Sequence, residues 1–557
     1  MMVYIIVFVL LTIFLLLVPK FTSGRILFTE AFVPELQAYR PAVKRDLSDI
    51  KIRVEIVYRK LYRIRVFKLF KPVFELLPSN YTVKTEKDGR FFFWAYPYDV
   101  VNIYVGEEEY RLTYTLRHKV NGFWPRYANF ILAISSLFSP KLVHGECIEI
   151  PSTMGNICGY ADRISAFPGE TIDLKISTKA ETYSLELVRV GEELQSIEKD
   201  TGKPGMYQNI ETPFPSTLGC GWKSSLKYNI PEGIDSGCYI IKLEGQNPDD
   251  NSFIPIIVKP LKVEKEIAVI ASTNTWHAYN SWGGQNYYIN YTSYPSLYTL
   301  SMQRPFDLPF RNPVTERCEI TRDHLLVGER LVWAWLEREG LSYDLYSDLD
   351  LHDEDIFSEY LMKYKAIIIN THNEYWSYDM VKHLKQFIQG GGNVLSLSGN
   401  TMYKEVTFPD QNSMLLDGAY FKYQGFREET VIGIGHDLRG FTTWEPYRVV
   451  LQNHWVFDGT GLKNGDVIGQ KGLNVALDDK PGASGWETDK ITPYSPEGTT
   501  LLARGANAGG GGADIIIYKL PDGGSVFSVG SISFGGSLLV DDKISKITKN
   551  VIKKFLT

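Results

Sequence analysis

The chain is short of the residues that most hydrolytic nucleophiles and metal cages require. Its five cysteines, at 147, 158, 220, 238 and 318, include no pair with the two- to four-residue spacing of a zinc site. No Gly-x-Ser-x-Gly elbow is present. The turn at His372-Asn373 carries no cysteine, so thiol amidotransferase chemistry lacks its nucleophile. The glycine run 508–512 lacks the lysine and flanking pattern of a phosphate loop and reads as a turn. No internal repeat is evident, and no nucleic-acid signature appears; Lys and Arg number 59 against 65 Asp and Glu, for a net charge of −6.

What is present is enough apolar residue to build several cores. Hydrophobic residues make up 44% and charged residues 22% of 557, the balance of an ordinary globular chain of three or so domains. The first segment, Met1 to Val18, is almost wholly apolar and ends at Pro19-Lys20. That is the lower edge of the roughly 17–25 residues a membrane-spanning helix needs. No basic residues precede it, which favours an N-terminal anchor or uncleaved signal within residues 1–24 over a cleaved leader. The chain is therefore expected to meet a membrane, anchored by this segment or exported. Export would make disulfides of Cys147–Cys158 and Cys220–Cys238, with Cys318 left over; five separate thiols is the other reading. Asn80-Tyr-Thr and Asn290-Tyr-Thr are glycosylation sequons that matter only in a compartment that glycosylates.

Three further regions follow. Residues 26–145 alternate basic and apolar side chains, as in Arg53-Val-Glu-Ile-Val-Tyr-Arg59, and are expected to be β-rich with a cationic, solvated face. Residues 146–262 carry short alternating runs separated by Pro-Gly turns, the pattern of an immunoglobulin-like β-sandwich. From 265 to 557 the pattern becomes α/β: strand-like runs at 267–271, 342–346, 366–370 and 393–397, with an amphipathic helix over 329–339. These predict a doubly wound parallel sheet, whose ligands bind beyond the carboxyl ends of its strands.

Two candidate loops lie at such ends. Ala366-Ile-Ile-Ile-Asn370 runs into Thr-His-Asn-Glu-Tyr-Trp376, delivering His372 and Glu374, and Ser377 can cap the helix that follows. The run at 267–271 leads into a loop with His277, Tyr279 and Tyr288. A third loop, Gly485-Trp-Glu-Thr-Asp489, offers Glu487. Phenolate and carboxylate are hard oxygen donors, suited to ferric iron rather than zinc or copper.

Ala278-Tyr-Asn-Ser-Trp-Gly-Gly, Arg304-Pro-Phe, Asp348-Leu-Asp-Leu-His352, His372-Asn-Glu-Tyr-Trp376 and Gly391-Gly-Asn-Val stand in the order found in the large subunit of N,N-dimethylformamidase and its relatives. Over 265–557 the chain resembles that family. The resemblance implies a fold similar to class I glutamine amidotransferases and a mononuclear Fe(3+) site of two tyrosinates and a glutamate, here Tyr279, Tyr288 and Glu374. It also implies a place for His372 beside the metal or on the water, and a general-base role for Glu487. The expected activity is hydrolysis of a C–N bond in a small-molecule amide, with a small companion subunit as partner and a homo-oligomer left open. The competing expectation is a membrane-tethered binding protein that keeps the domain with a degenerate site and no catalysis.

Overall fold

The computed structural model describes isolated strands between residues 20 and 151, and then residues 157–210, 215–246, 250–283, 286–288, 298–306, 318–319, 325–421, 426–441, 443–475 and 482–557. The apolar run Met1–Val18 and the sequon at Asn290 lie outside the described residues. No described helix is long and apolar enough to cross a membrane.

The chain divides into two compact units. One is drawn from Met1–Met154, Ile210–Gly221 and Ser281–Tyr298, the other from Gly155–Asn209, Trp222–Asn280 and Thr299–Thr557. In the first, Lys20–Val33 pairs antiparallel with Ala38–Pro41 and Arg90–Ala95 and parallel with Val143–Pro151. A second sheet there orders Asn80–Lys84, Lys51–Arg59, Asp99–Val105 and Tyr110–Thr115, all antiparallel.

The second unit begins with two facing sheets. Ser165–Ala166, Asn251–Val258, Gly237–Glu244, Thr182–Val190 and Leu194–Pro204 form one; Leu226–Asn229, Thr171–Thr178 and Ile157–Ala161 form the other. Alternation fixes which side chains turn inward. Leu174 and Ile176 of one sheet and Leu185, Leu187, Ile241 and Leu243 of the other share one apolar core. Cys158 and Cys238 are buried free thiols, so neither disulfide pairing forms. Burial pushes the Cys158 thiol up to about 12.

The unit then builds a nine-stranded sheet. In chain order its strands are β1 (Ile267–Ala271), β2 (Asp344–Ser347), β3 (Ala366–Thr371), β4 (Asn393–Ser398), β5 (Tyr447–Val449), β6 (Val467–Ile468), β7 (Thr500–Gly505), β8 (Asp514–Lys519) and β9 (Ser525–Ser528). Their spatial order is β2-β1-β3-β4-β9-β8-β7-β5-β6. From β2 to β9 neighbours run parallel; from β9 to β6 they run antiparallel. Ile367, Ile368 and Ile369 of β3 are wholly buried, and each such side chain taken from water contributes about 1.5–3 kcal/mol. The helices that serve the site are α1 (Thr273–Tyr279), α2 (Leu326–Arg338), α3 (Asp348–His352), α4 (Tyr378–Gln389) and α5 (Asp542–Leu556).

This corrects the expected fold class. A doubly wound, glutamine amidotransferase-like α/β domain is a mostly parallel sheet with crossover helices covering both faces. The described chain is instead β-rich: it forms nine sheets, and among the described residues only α2, α4 and α5 reach twelve residues. The connection from β4 to β9 is made of antiparallel strands, short turns and loops. The α/β alternation read near 265–400 does not extend through 400–524, where glycine-punctuated segments are too short to form crossover helices.

Candidate active site

The site is assembled from the loops after β1, β3 and β4 and from the loop carrying Glu487. Helix α1 starts immediately after β1, so its first amides point into the protein, where water cannot satisfy them. Its own N-cap residue makes no side-chain cap. Two acids from neighbouring helices substitute. Glu329 of α2 accepts from Ser272 Oγ, from the Ser272 amide at 3.3 Å and from Trp276 Nε1 at 2.7 Å. Asp348 of α3 accepts from Thr273 Oγ1 and from the Asn274 amide at 3.0 Å. Burial raises both carboxyls, each to about 8. The result is a short helix held firmly at its start, with Tyr279 at its far end.

Tyr279 Oη lies 3.1 Å from Nε2 of His372. The same nitrogen is 3.3 Å from Glu374 Oε2 and 3.6 Å from Glu487 Oε2. His372 Nδ1 lies 3.0 Å from the Gly399 carbonyl; a carbonyl only accepts, so Nδ1 carries a proton and Nε2 faces the three oxygens. Burial by itself would lower the His372 pKa. The hydrogen bond to Glu374 and the charges of Glu487 and Glu374 outweigh it and lift the ring to about 9. Burial raises Glu487 above the ordinary carboxylate range, opposed by His372 and His436 and reinforced by the Glu374 charge.

Four non-glycine residues hold φ between +50° and +66° among those described: Thr371, Asn400, Met402 and Trp486. All four border this cluster. Thr371 precedes His372, Trp486 precedes Glu487, Asn400 Nδ2 donates to Glu487 Oε2 at 2.8 Å, and the Met402 amide donates to the Asn373 carbonyl at 2.8 Å. Left-handed backbone in β-branched or bulky residues costs of order 1–3 kcal/mol each and collects at functional sites.

The structure thus brings together Tyr279, His372, Glu374 and Glu487. Tyr288 falls in the other compact unit, where its amide donates to Asn286 Oδ1 at 2.7 Å. Asn400, Asp489 and His436 were not singled out from sequence. The Asn400 amide donates to Asp489 Oδ1 at 2.9 Å, and His436 lies 3.6 Å from the same carboxylate with Tyr403 edge-on at 4.9 Å. Asn400 stands just past the carboxyl end of β4, a position that could have marked it; His436 carries no comparable signal.

Among the described residues no three of His, Cys, Asp and Glu are disposed to hold a metal. Tyr279 and Glu374 offer phenol and carboxylate oxygens to the same small volume around His372 Nε2.

Residues 186–546 match the family described as N,N-dimethylformamidase beta subunit-like, C-terminal. The chain belongs to that family. The match starts within the sandwich strand Thr182–Val190 and runs into α5, so the family domain includes part of the sandwich. The N,N-dimethylformamidase beta subunit of Alcaligenes sp is 23% identical over 60% of this chain and 54% of its own length. That of Paracoccus aminophilus is 22% identical with the same coverage. The chain spans about half the length of these curated relatives. Among solved structures, the Bacillus cereus major pilin subunit BcpA aligns with 46% of this chain and 74% of its own at 11% identity, with a TM-score of 0.13, too low to inform the fold.

Proposed function

We propose that this member of the dimethylformamidase-like family hydrolyses the C–N bond of a small-molecule amide. The observation that carries the reading is the convergence of Tyr279, Glu374 and Glu487 on one nitrogen of His372 in a buried, strained set of loops. Its donor chemistry suits Fe(3+), which Tyr279 and Glu374 would hold. When bound, ferric iron supplies Lewis acidity toward an amide carbonyl or a water.

The chain's own residues supply the proton inventory. Glu487, with its affinity for protons raised by burial, takes the proton of the attacking water and passes it to the departing amine nitrogen. The water oxygen bonds to the carbonyl carbon, the C–N bond breaks, and a carboxylic acid and an amine leave. Asn400 holds Glu487 Oε2. His372, its Nδ1 fixed on Gly399, presents Nε2 to both carboxylates and steadies their charge. His372, Glu374 and Asn400 are buried, which strengthens the interactions they make.

The relatives' name, beta subunit, supports a companion subunit. Tethering through the N-terminal apolar run is part of the same proposal.

The test is elemental analysis with a visible spectrum on protein purified without chelators. Stoichiometric iron with a tyrosinate band that Tyr279→Phe removes, and metal loss in Glu374→Ala, are the expected results. Colourless protein that stays so after iron is added would replace this reading with that of a binding protein.

A further inference from the structure

A cavity of about 520 Å³ opens between the sandwich and the nine-stranded sheet, within the second compact unit. Its walls include Ser165 and Lys259 from the sandwich side and His277, Phe306, Asp350 and Phe408 from the sheet side. None of Tyr279, His372, Glu374 and Glu487 lines it. His277 and Tyr279 are two residues apart on α1, and successive residues of a helix turn by about 100°, which sends the two side chains to opposite faces. Helix α1 therefore has the active-site cluster on one side and this cavity on the other.

The charged side chains around the cavity are already engaged in hydrogen bonds or ion pairs. Lys259 Nζ is 2.8 Å from Asp350 Oδ1 and 4.5 Å above the Phe167 ring. Asp350 also accepts from Ser165 Oγ at 2.8 Å. Arg163 pairs with Asp162 at 3.2 Å, and Arg304 donates to the carbonyls of Ser301, Asn280 and His277. Asp353 accepts from the amides of Asp355 and Ile356, and Asp410 from Asn412 and Ser413. A charged ligand entering here would lose its hydration and would have to displace these hydrogen bonds to gain a counter-charge. The uncharged polar groups on its walls include two imidazoles. His277 Nδ1 has no hydrogen-bond partner among the described residues, and His352 commits its Nδ1 to Ser377, leaving Nε2. Each imidazole is paired with a ring: Phe306 lies 4.6 Å from His277, and Phe408 sits edge-on to His352 at 4.8 Å. Cavities of this volume, mostly apolar with a few polar groups, are the usual small-molecule sites.

We propose that this cavity is a ligand site, separate from the active-site cluster, for a neutral aromatic molecule carrying one hydroxyl or amide group. It does not depend on the hydrolase reading. The ligand would lie against α1 and α3, and α3 also supplies the Asp348 carboxyl that holds the start of α1.

The test uses benzyl alcohol as probe, with benzoate and benzylammonium as charged analogues of the same ring. Binding to the full chain is followed by calorimetry and by saturation-transfer NMR. Benzyl alcohol should bind saturably and the two ions about tenfold or more weakly. Leu349→Trp, which places a ring in the cavity from α3, should abolish binding, with Ile356→Trp as a second obstruction should the first fail to fold. Glu374→Gln should leave binding unchanged. Absence of saturable binding, equal binding of all three probes, or survival of binding in a folded cavity-filling variant would overturn the proposal. Loss of binding in Glu374→Gln would overturn the claim of a separate site.

Discussion

Asn400 donates from Nδ2 to Glu487 Oε2 at 2.8 Å while its own backbone stands at φ +50° and its amide donates to Asp489. One strained residue thus holds both carboxylates of the 485–489 loop. Hydrogen bonds to charged groups contribute about 1.5–3 kcal/mol. Asn400→Ala should therefore lower kcat by roughly tenfold to a hundredfold. Asn400→Gly should also lose activity, because it removes the amide while relieving the strain. Equal rates in Asn400→Gly and the native protein would show that the Glu487 contact is dispensable.

Glu487 and Glu374 are expected to fail differently. Glu487→Ala should retain iron and lose turnover by about a hundredfold or more, the scale of a general-base contribution. Glu374→Ala should lose the iron itself. Metal content and amide turnover measured on the same samples separate the two; full activity in Glu487→Ala would remove it as the base.

Two buried acids make stability pH-dependent. Glu329 and Asp348 have pKa values raised to about 8 from 4.5 and 3.8. Between these limits the folded chain keeps protons that the unfolded chain has released, so stability falls as pH rises through that window. The slope is at most about 1.4 kcal/mol per pH unit per group. Apparent melting temperature should drop from pH 5.5 to pH 8.5, and Glu329→Gln should reduce the dependence. An unchanged slope in Glu329→Gln would show that this carboxyl does not titrate there.

The Lys259–Asp350 pair should break unevenly. Its side chains are 10% and 7% exposed. Asp350 also accepts from Ser165 Oγ, from Ser347 Oγ at 2.7 Å and from the Ser347 amide at 2.8 Å, so Lys259→Met leaves a carboxylate with donors. Asp350→Ala leaves a buried ammonium whose remaining neighbour is the Phe167 ring, a loss of about 3–5 kcal/mol. Thermal melts should place Asp350→Ala well below Lys259→Met.

Cys158 and Cys238 should resist alkylation in the native state. Both are buried free thiols, and burial raises both pKa values, that of Cys158 to about 12, so almost no reactive thiolate exists at neutral pH. Peptide mapping after iodoacetamide should find them labelled only in denaturant.

Much of the local structure was legible in sequence because it depends on local patterning. The apolar run at 366–370 is β3, Ser377 caps α4 by accepting from the Met380 amide at 3.3 Å, and α4 ends at Gly390. The ordered motifs were sufficient to name the family. The reading failed on fold class because alternation in four strands was extended over 400–524, and nothing in a strand's own residues says whether its neighbour in the sheet runs parallel or antiparallel.

The sequence alone determined which residue types stand at strand ends: a histidine and a glutamate after β3, a tyrosine in α1, a glutamate in a glycine-bounded loop. Only the tertiary structure decided that Tyr279, Glu374 and Glu487 face one nitrogen of His372. It also decided that Asn400 and His436 join them and that acids from α2 and α3 hold the start of α1. Such groupings join residues far apart in the chain, as Tyr279 and Glu487 are, and they are set by sheet order and burial, which no local pattern encodes.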